Sequence, residues 1–81
     1  MQIKCLNDLR SGESGRISQI NGGHGIIDRL AALGVRPGTR ITKIHSGFRQ
    51  GPVTIEVSRI QIAVGFGMAA KILVEVEDTV Q

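Results

Sequence analysis

The residues of this chain that could do chemistry are few. They are Cys5, His24, His45, seven carboxylates and a larger set of basic groups. No two of the cysteine and histidines stand at the C-x-x-C or H-x-x-x-H spacing that brings metal ligands together within a chain. The spacing therefore predicts no metal site inside the chain, while a metal shared between chains stays open. No G-x-S-x-G element is present to set up a serine nucleophile. Gly22-Gly23-His24-Gly25 opens a predicted helix, where free backbone N–H groups can meet an anion. No Gly-Lys-Ser/Thr follows, so a phosphate loop of the nucleotide-hydrolase kind is excluded, and these glycines read as a turn and helix cap. The chain is predicted to be no enzyme and to need no cofactor.

Binding chemistry is better represented. The net charge is +3, concentrated in the middle, where Arg29, Arg36, Arg40, Lys43, Arg49 and Arg59 face the single acid Glu56. Glu75, Glu77 and Asp78 reverse the sign at the end. A basic middle can face nucleic acid, acidic lipid or an acidic protein surface, or can simply be a solvated exterior. Single-strand binders stack bases on aromatic rings. With no Trp, no Tyr and only Phe48 and Phe66, the chain lacks that platform, and no nucleic-acid partner is expected. One segment reads as a protein contact: Ser46-Gly47-Phe48-Arg49-Gln50-Gly51-Pro52 sets an aromatic beside an arginine on a glycine-bounded loop. Phe and Arg are favoured interface anchors. Lys43, Phe48 and Arg49 are the candidate partner-binding residues. The residues alone leave open whether Phe48 faces solvent or folds back over the domain.

These groups must be carried by a very small scaffold. Eighty-one residues make one domain with a thin core and no spare chain for a deep cleft. Hydrophobic residues at 41% and charged residues at 21% fit a folded soluble domain. One cysteine excludes an intrachain disulfide, and no signal peptide or membrane span is readable, so a cytoplasmic location is expected. Leu6-Asn7-Asp8-Leu9 reads as a short turn packing its two leucines. Arg16–Ile20 reads as a strand with Ile17 and Ile20 inward. From His24 to Leu33, Ile26, Ile27, Leu30 and Leu33 recur at helical spacing, and Gly34 is placed to end that helix in the left-handed conformation. Pro37-Gly38 is a turn pair. Thr39–Ser46 reads as a strand carrying Ile41 and Ile44, whose odd offset predicts a bulge. Val53, Ile55 and Val57, then Ile60, Ile62 and Val64, then Ile72, Val74 and Val76 alternate as strand faces, and Gly65–Ala70 allows one helical turn. The pattern predicts a mainly β fold: a closed or half-closed barrel of about five strands with one amphipathic helix after the first long strand.

In their order and spacing these motifs resemble the FeoA family of small ferrous iron transport proteins. The matching run is Leu6-x-x-Leu9, Gly12-x-x-Gly15-x-Ile17-x-x-Ile20, Gly22-Gly23, then Arg29-Leu30-x-x-Leu33-Gly34-Val35-x-Pro37-Gly38. It continues through Gly51-Pro52-x-x-Ile55-x-Val57, Ile62-Ala63-Val64 and Ala69-x-x-Ile72-x-Val74. Arg59 stands where the family often has glycine, and Gly65 where it often has a basic residue. The resemblance implies an SH3-like barrel, read as a single domain over residues 1–76, and the last residues, 77–81, are expected to fray as chain ends do. It also implies a cytoplasmic accessory role beside the FeoB-type ferrous iron transporter, a membrane protein with a GTP-binding region. Contact with the membrane would then run only through that partner. A sharper form has Arg49 act in trans on GTP hydrolysis. The other classes of function are a metal-sensing module, since similar SH3-like domains end iron-dependent repressors, and a nucleic-acid-binding barrel.

Overall fold

The computed structural model describes residues 2–77. Its strands are β1 (Gln2–Cys5), β2 (Ser14–Ile20), β3 (Arg40–Ser46), β4 (Val53–Val57), β5 (Ile60–Val64) and β6 (Ile72–Val76), with helices α1 (His24–Ala32) and α2 (Phe66–Ala69). A 3-10 turn, Leu6–Asp8, follows β1. All neighbours are antiparallel in a six-stranded sheet ordered β1-β6-β2-β3-β4-β5. The fold is SH3-like and barrel-like, but β1 and β5 remain edges, so the sheet does not close. The strand beyond the expected count is β1. It escapes a pattern reading because its residues are exposed or half-buried, and pairing with β6 rather than a buried face defines it.

Helix α1 stops for local reasons. Gly34 takes φ +90°, its N–H donates to the Ala31 carbonyl at 2.9 Å, and the Val35 N–H reaches back to Leu30 at 2.9 Å. This is the Schellman arrangement, completed by apolar Val35 and Leu30, both fully buried. The turn that follows closes from the Thr39 N–H to the Arg36 carbonyl at 3.0 Å, with Gly38 at φ +91°. Leu33, expected on the buried stripe, caps the helix and is 49% exposed.

Two bulges set which side chains reach the core. On β2 the register to β6 shifts between Ile17 and Gln19, so Ile17 and Ile20 both face inward despite their odd offset. On β3 the shift falls between Lys43 and His45. The bulge is where the sequence predicts it, but its consequence differs. Ile41 and Lys43 take the buried positions, and Ile44 is only half-buried. The core otherwise joins Leu6, Leu9, Leu30 and Val35 to the inner faces of β2, β4 and β6. Of the β5 face, Val64 is buried, Ile62 half-buried and Ile60 64% exposed, as suits an edge. Gly15 belongs to this packing, because a Cβ there would collide with the Glu75 carbonyl oxygen and the Val74 side chain.

Among the described residues Lys43 is the one charged residue in the core, at 2% exposure. Its ammonium donates to three carbonyls, of Leu6 at 3.3 Å, Asn7 at 3.0 Å and Leu9 at 2.7 Å. Its backbone is held as well, since its N–H donates to Glu13 and its carbonyl accepts from Gly12. Burial pushes the ammonium below the ordinary lysine value, and the nearby Asp8 carboxylate opposes part of that shift. The expectation that Lys43 contacts a partner is therefore corrected: its charge is spent inside the fold. Lys43→Met keeps an apolar stem but strips the donor from these carbonyls. It should destabilise the domain by about 2–4 kcal/mol in urea unfolding. Wild-type stability for this variant would mean that the carbonyls find other donors.

Candidate partner-binding site

The loop between β3 and β4 is built to hold a tip. The Gly47 N–H donates to the Pro52 carbonyl at 2.7 Å and closes the loop. A Cβ at Gly47 would lie 2.9 Å from both the Pro52 oxygen and the Gly51 carbonyl carbon, so the closure requires glycine. Arg49 and Gln50 both take left-handed backbone, at φ 51° and 62°. A non-glycine residue there costs about 1–2 kcal/mol. Phe48 is 85% exposed at the turn, which settles its orientation outward, and the Arg49 guanidinium lies 5.3 Å from its ring centroid. The tip thus offers a flat apolar face carrying a positive charge, a pairing that gains strength when a partner removes water from it.

The candidate residues are only partly brought together. Phe48 and Arg49 form one surface, and Lys43 lies in the core. The basic middle of the sequence is dispersed in the same way. Arg29 is on α1, Arg36 precedes the turn, and Arg40 and Arg59 belong to the end of the β3–β4 hairpin opposite Phe48. Among the described residues no three His, Cys, Asp or Glu side chains gather as a metal site. The Cys5 thiol rests against the Ala69 and Ala70 carbonyls, at 3.6 and 3.5 Å. Among the described residues no helix is long and apolar enough to cross a membrane.

A second polar surface was not foreseen. Thr39, Arg40, Thr42, Glu56, Ser58 and Arg59 line a groove of about 400 Å³ on the outer face of β3 and β4. Arg40 grips Glu77 with two bonds, Nε to Oε2 at 2.5 Å and Nη2 to Oε1 at 3.1 Å. This hydrogen bonding, opposed by slight desolvation and aided by the charges of Arg40 and Arg16, holds the Glu77 carboxyl below its ordinary value. The tie therefore persists at neutral pH and is lost as pH falls through that lowered value. Of the tail expected to fray from 77 to 81, Glu77 is thus bonded, and 78–81 lie outside the described residues. Sequence gave no signal for the groove beyond charge, because cross-strand pairing assembles it.

Ser58 and Arg59, at φ 50° and 70°, form the two-residue turn between β4 and β5. Both positions are left-handed, the geometry in which glycine is at ease. Arg59→Gly should therefore stabilise the domain by about 0.5–1 kcal/mol in thermal unfolding. A loss of stability would show that the Arg59 side chain contributes more than its backbone strain removes.

The fold defines a small SH3-like domain. Comparison with known proteins is consistent with that class. The model of the FeoA domain matches residues 4–76, and the chain belongs to the FeoA family. It is 35% identical over 66 residues to the "Putative Fe(2+) transport protein A" of Methanocaldococcus jannaschii, covering 82% of this chain and 78% of that protein. A crystal structure of an iron uptake regulatory protein, FeoA, superposes with a TM-score of 0.86 at 28% identity over 95% of this chain and 100% of the other. The solution structure of a FeoA protein from Chlorobium tepidum shares the fold with a TM-score of 0.85 at 15% identity, over 96% of this chain and 74% of that one. A manganese-dependent transcriptional repressor in complex with manganese shares it too, with a TM-score of 0.86 at 18% identity over 95% of this chain and 38% of the repressor.

Proposed function

We propose that this chain is a non-catalytic, cytoplasmic accessory protein of ferrous iron uptake, which docks on a FeoB-type transporter through the Phe48–Arg49 tip. Membership of the FeoA family makes Fe(2+) transport the process concerned. The observation that carries the docking reading is the exposed Phe48 ring beneath the Arg49 guanidinium, on a loop locked by the Gly47–Pro52 bond. A rigid aromatic beside an arginine supplies contact area and charge at small entropic cost, as interface hot spots do. The strain at Arg49 and Gln50 supports the same reading, since left-handed non-glycine backbone concentrates at functional surfaces. The partner surface is the cytoplasmic, GTP-binding region of the transporter.

Calorimetry of the purified protein against that region, with and without guanine nucleotide, tests the reading. Binding is expected in at least one nucleotide state. Phe48→Ser and Arg49→Glu should each weaken it about tenfold, in the range of hot-spot losses. Both variants should unfold within about 0.5 kcal/mol of wild type, as surface positions do. Absence of binding in every nucleotide state overturns docking on this region. Multiple-turnover GTP hydrolysis in the same mixtures tests the narrower role of Arg49, and no acceleration removes it.

A further inference from the structure

We propose that Asn21, at the junction of β2 and α1, is a site of covalent self-modification, where the Gly22 backbone nitrogen displaces the Asn21 side-chain amide as ammonia. The substrate is the chain itself, and the only co-reactant is water. The inference goes beyond the docking reading and does not rest on it.

The chemistry starts from the residue pair Asn21-Gly22. An asparagine side chain can close onto the nitrogen of the next residue to form a cyclic imide. Most residues obstruct this closure, because their Cβ shields the nitrogen and narrows the backbone angles, and glycine does neither. The step balances. A bond forms between the Gly22 nitrogen and Asn21 Cγ, the Cγ–Nδ2 bond breaks, and Nδ2 leaves as ammonia with the proton that the Gly22 nitrogen gives up. Water then opens the ring. Cleavage of the bond from Cγ to nitrogen restores the ordinary backbone, with aspartate in place of asparagine. Cleavage of the bond from the backbone carbonyl carbon to nitrogen leaves the chain running through Cγ, as isoaspartate. Nothing is oxidised or reduced: water enters and ammonia departs.

Three observations carry the assignment. The first is access. Asn21 and Gly22 are both exposed. The Asn21 N–H donates to the Lys71 carbonyl at 2.7 Å, whereas the Gly22 N–H finds no acceptor among the described residues. The residue carrying the target carbon is anchored, and the attacking nitrogen is free. The second is Gln19. Its Nε2 donates to Asn21 Oδ1 at 2.6 Å. The two side chains meet because residues two apart in extended chain share a face. A donor on this oxygen draws electron density from Cγ and stabilises the negative oxygen that forms as the nitrogen adds, as the donors of an oxyanion hole do. The third is the contrast with Asn7, the other asparagine of the sequence. Asn7 is half-buried and is followed by Asp8 rather than glycine. Its Nδ2, the group that would leave, donates to the Phe66 carbonyl at 3.3 Å, and its buried Oδ1 has no donor. The structure therefore arms one asparagine and protects the other.

The products change this junction. Either one puts a carboxylate where a neutral amide stood, so the net charge of +3 falls by one. Isoaspartate also inserts a main-chain carbon between two fixed points. One is the Asn21 N–H on the Lys71 carbonyl, and the other is the Gly23 carbonyl, which accepts the Ile26 and Ile27 N–H groups at 3.1 Å each. Ile26, Ile27 and buried Leu30 seat α1 on the core. The isoaspartate form should therefore melt below the unmodified protein.

The test incubates the full-length protein in mildly alkaline buffer, at a temperature where circular dichroism shows it folded, and follows it by tryptic digestion and mass spectrometry. The peptide of residues 17–29 should gain about 1 Da as amide becomes acid. Isoaspartyl methyltransferase should then place a labelled methyl group on it. The peptide of residues 5–10, which holds Asn7, should keep its mass. A sample digested without incubation corrects for change during digestion. Gly22→Ala should abolish the gain. The added methyl meets the Ile26 side chain, nearest its Cδ1 at 3.3 Å, a flexible end that can give way, so this variant should fold. Gln19→Leu should slow the gain about two- to fivefold, the worth of one exposed hydrogen bond. That difference should vanish in urea, where Gln19 no longer sits on Asn21. Circular dichroism melts confirm that each variant is folded. No gain on residues 17–29 of the folded protein overturns the proposal, as does an equal gain on residues 5–10. Equal rates for folded wild type and Gln19→Leu overturn the part given to Gln19. No transporter enters the assay, so its failure leaves the docking reading untouched, and failure of docking leaves this site untouched.

Discussion

A single ammonium group holds the N-terminal part of this domain to its sheet. The 3-10 turn Leu6–Asp8 and the residue after it turn three carbonyls toward one point, where that of Leu6 also accepts the Leu9 N–H and those of Asn7 and Leu9 rely on a side chain. An apolar core cannot satisfy such groups, and an unpaired buried carbonyl costs about 1–3 kcal/mol. Lys43 supplies three donors on one atom, the most any side chain gathers at a point. Its four-carbon stem meanwhile packs beside Ile41 and Ile55 in the core. Leu6 and Leu9 can be buried because the backbone that brings them inward is satisfied in this way. The position of β1, and through it the last partner of β6, follows.

This explains where a sequence reading succeeds and where it fails. Helix α1 was legible because its apolar spacing, Gly34 and the Pro37-Gly38 turn all act within a few residues. The strand faces of β4 and β6 were legible because both bury alternate residues completely. Lys43 was illegible, since a lysine in a basic stretch reads as solvated unless one knows which carbonyls converge on it, and those lie 34–37 positions away. The odd offset of Ile41 and Ile44 correctly announced a bulge but not the residue it turns inward. Edge strand β1 buries too little to leave a pattern.

The candidate sites divide along the same line. Phe48 and Arg49 are sequence neighbours, and a loop signal finds them. The groove is made from residues such as Arg40, Glu56 and Arg59, which only strand pairing unites. Charge counted along the chain therefore misleads: of the six basic residues in the middle, one is in the core, one is at the tip, and two flank a groove at the far end of the same hairpin. The core tolerates little change at Gly15 or Lys43, whereas both ends of the β3–β4 hairpin are free of core duty and carry the strained, exposed residues.

The pairing of β1 with β6 has an architectural consequence. Gln2 stands opposite Val76, so the two places where the chain enters and leaves the sheet are side by side. Opposed residues of antiparallel strands are only about 5 Å apart at their Cα atoms. A larger polypeptide could enter and leave the unit through one point on its surface, without stretching its own backbone or disturbing any other strand. Such a unit is portable: it can be spliced onto the end of a longer chain or into one of its loops as a detachable cartridge. Its occurrence as little more than a third of a manganese-dependent repressor shows the same architecture carried as a part of something larger.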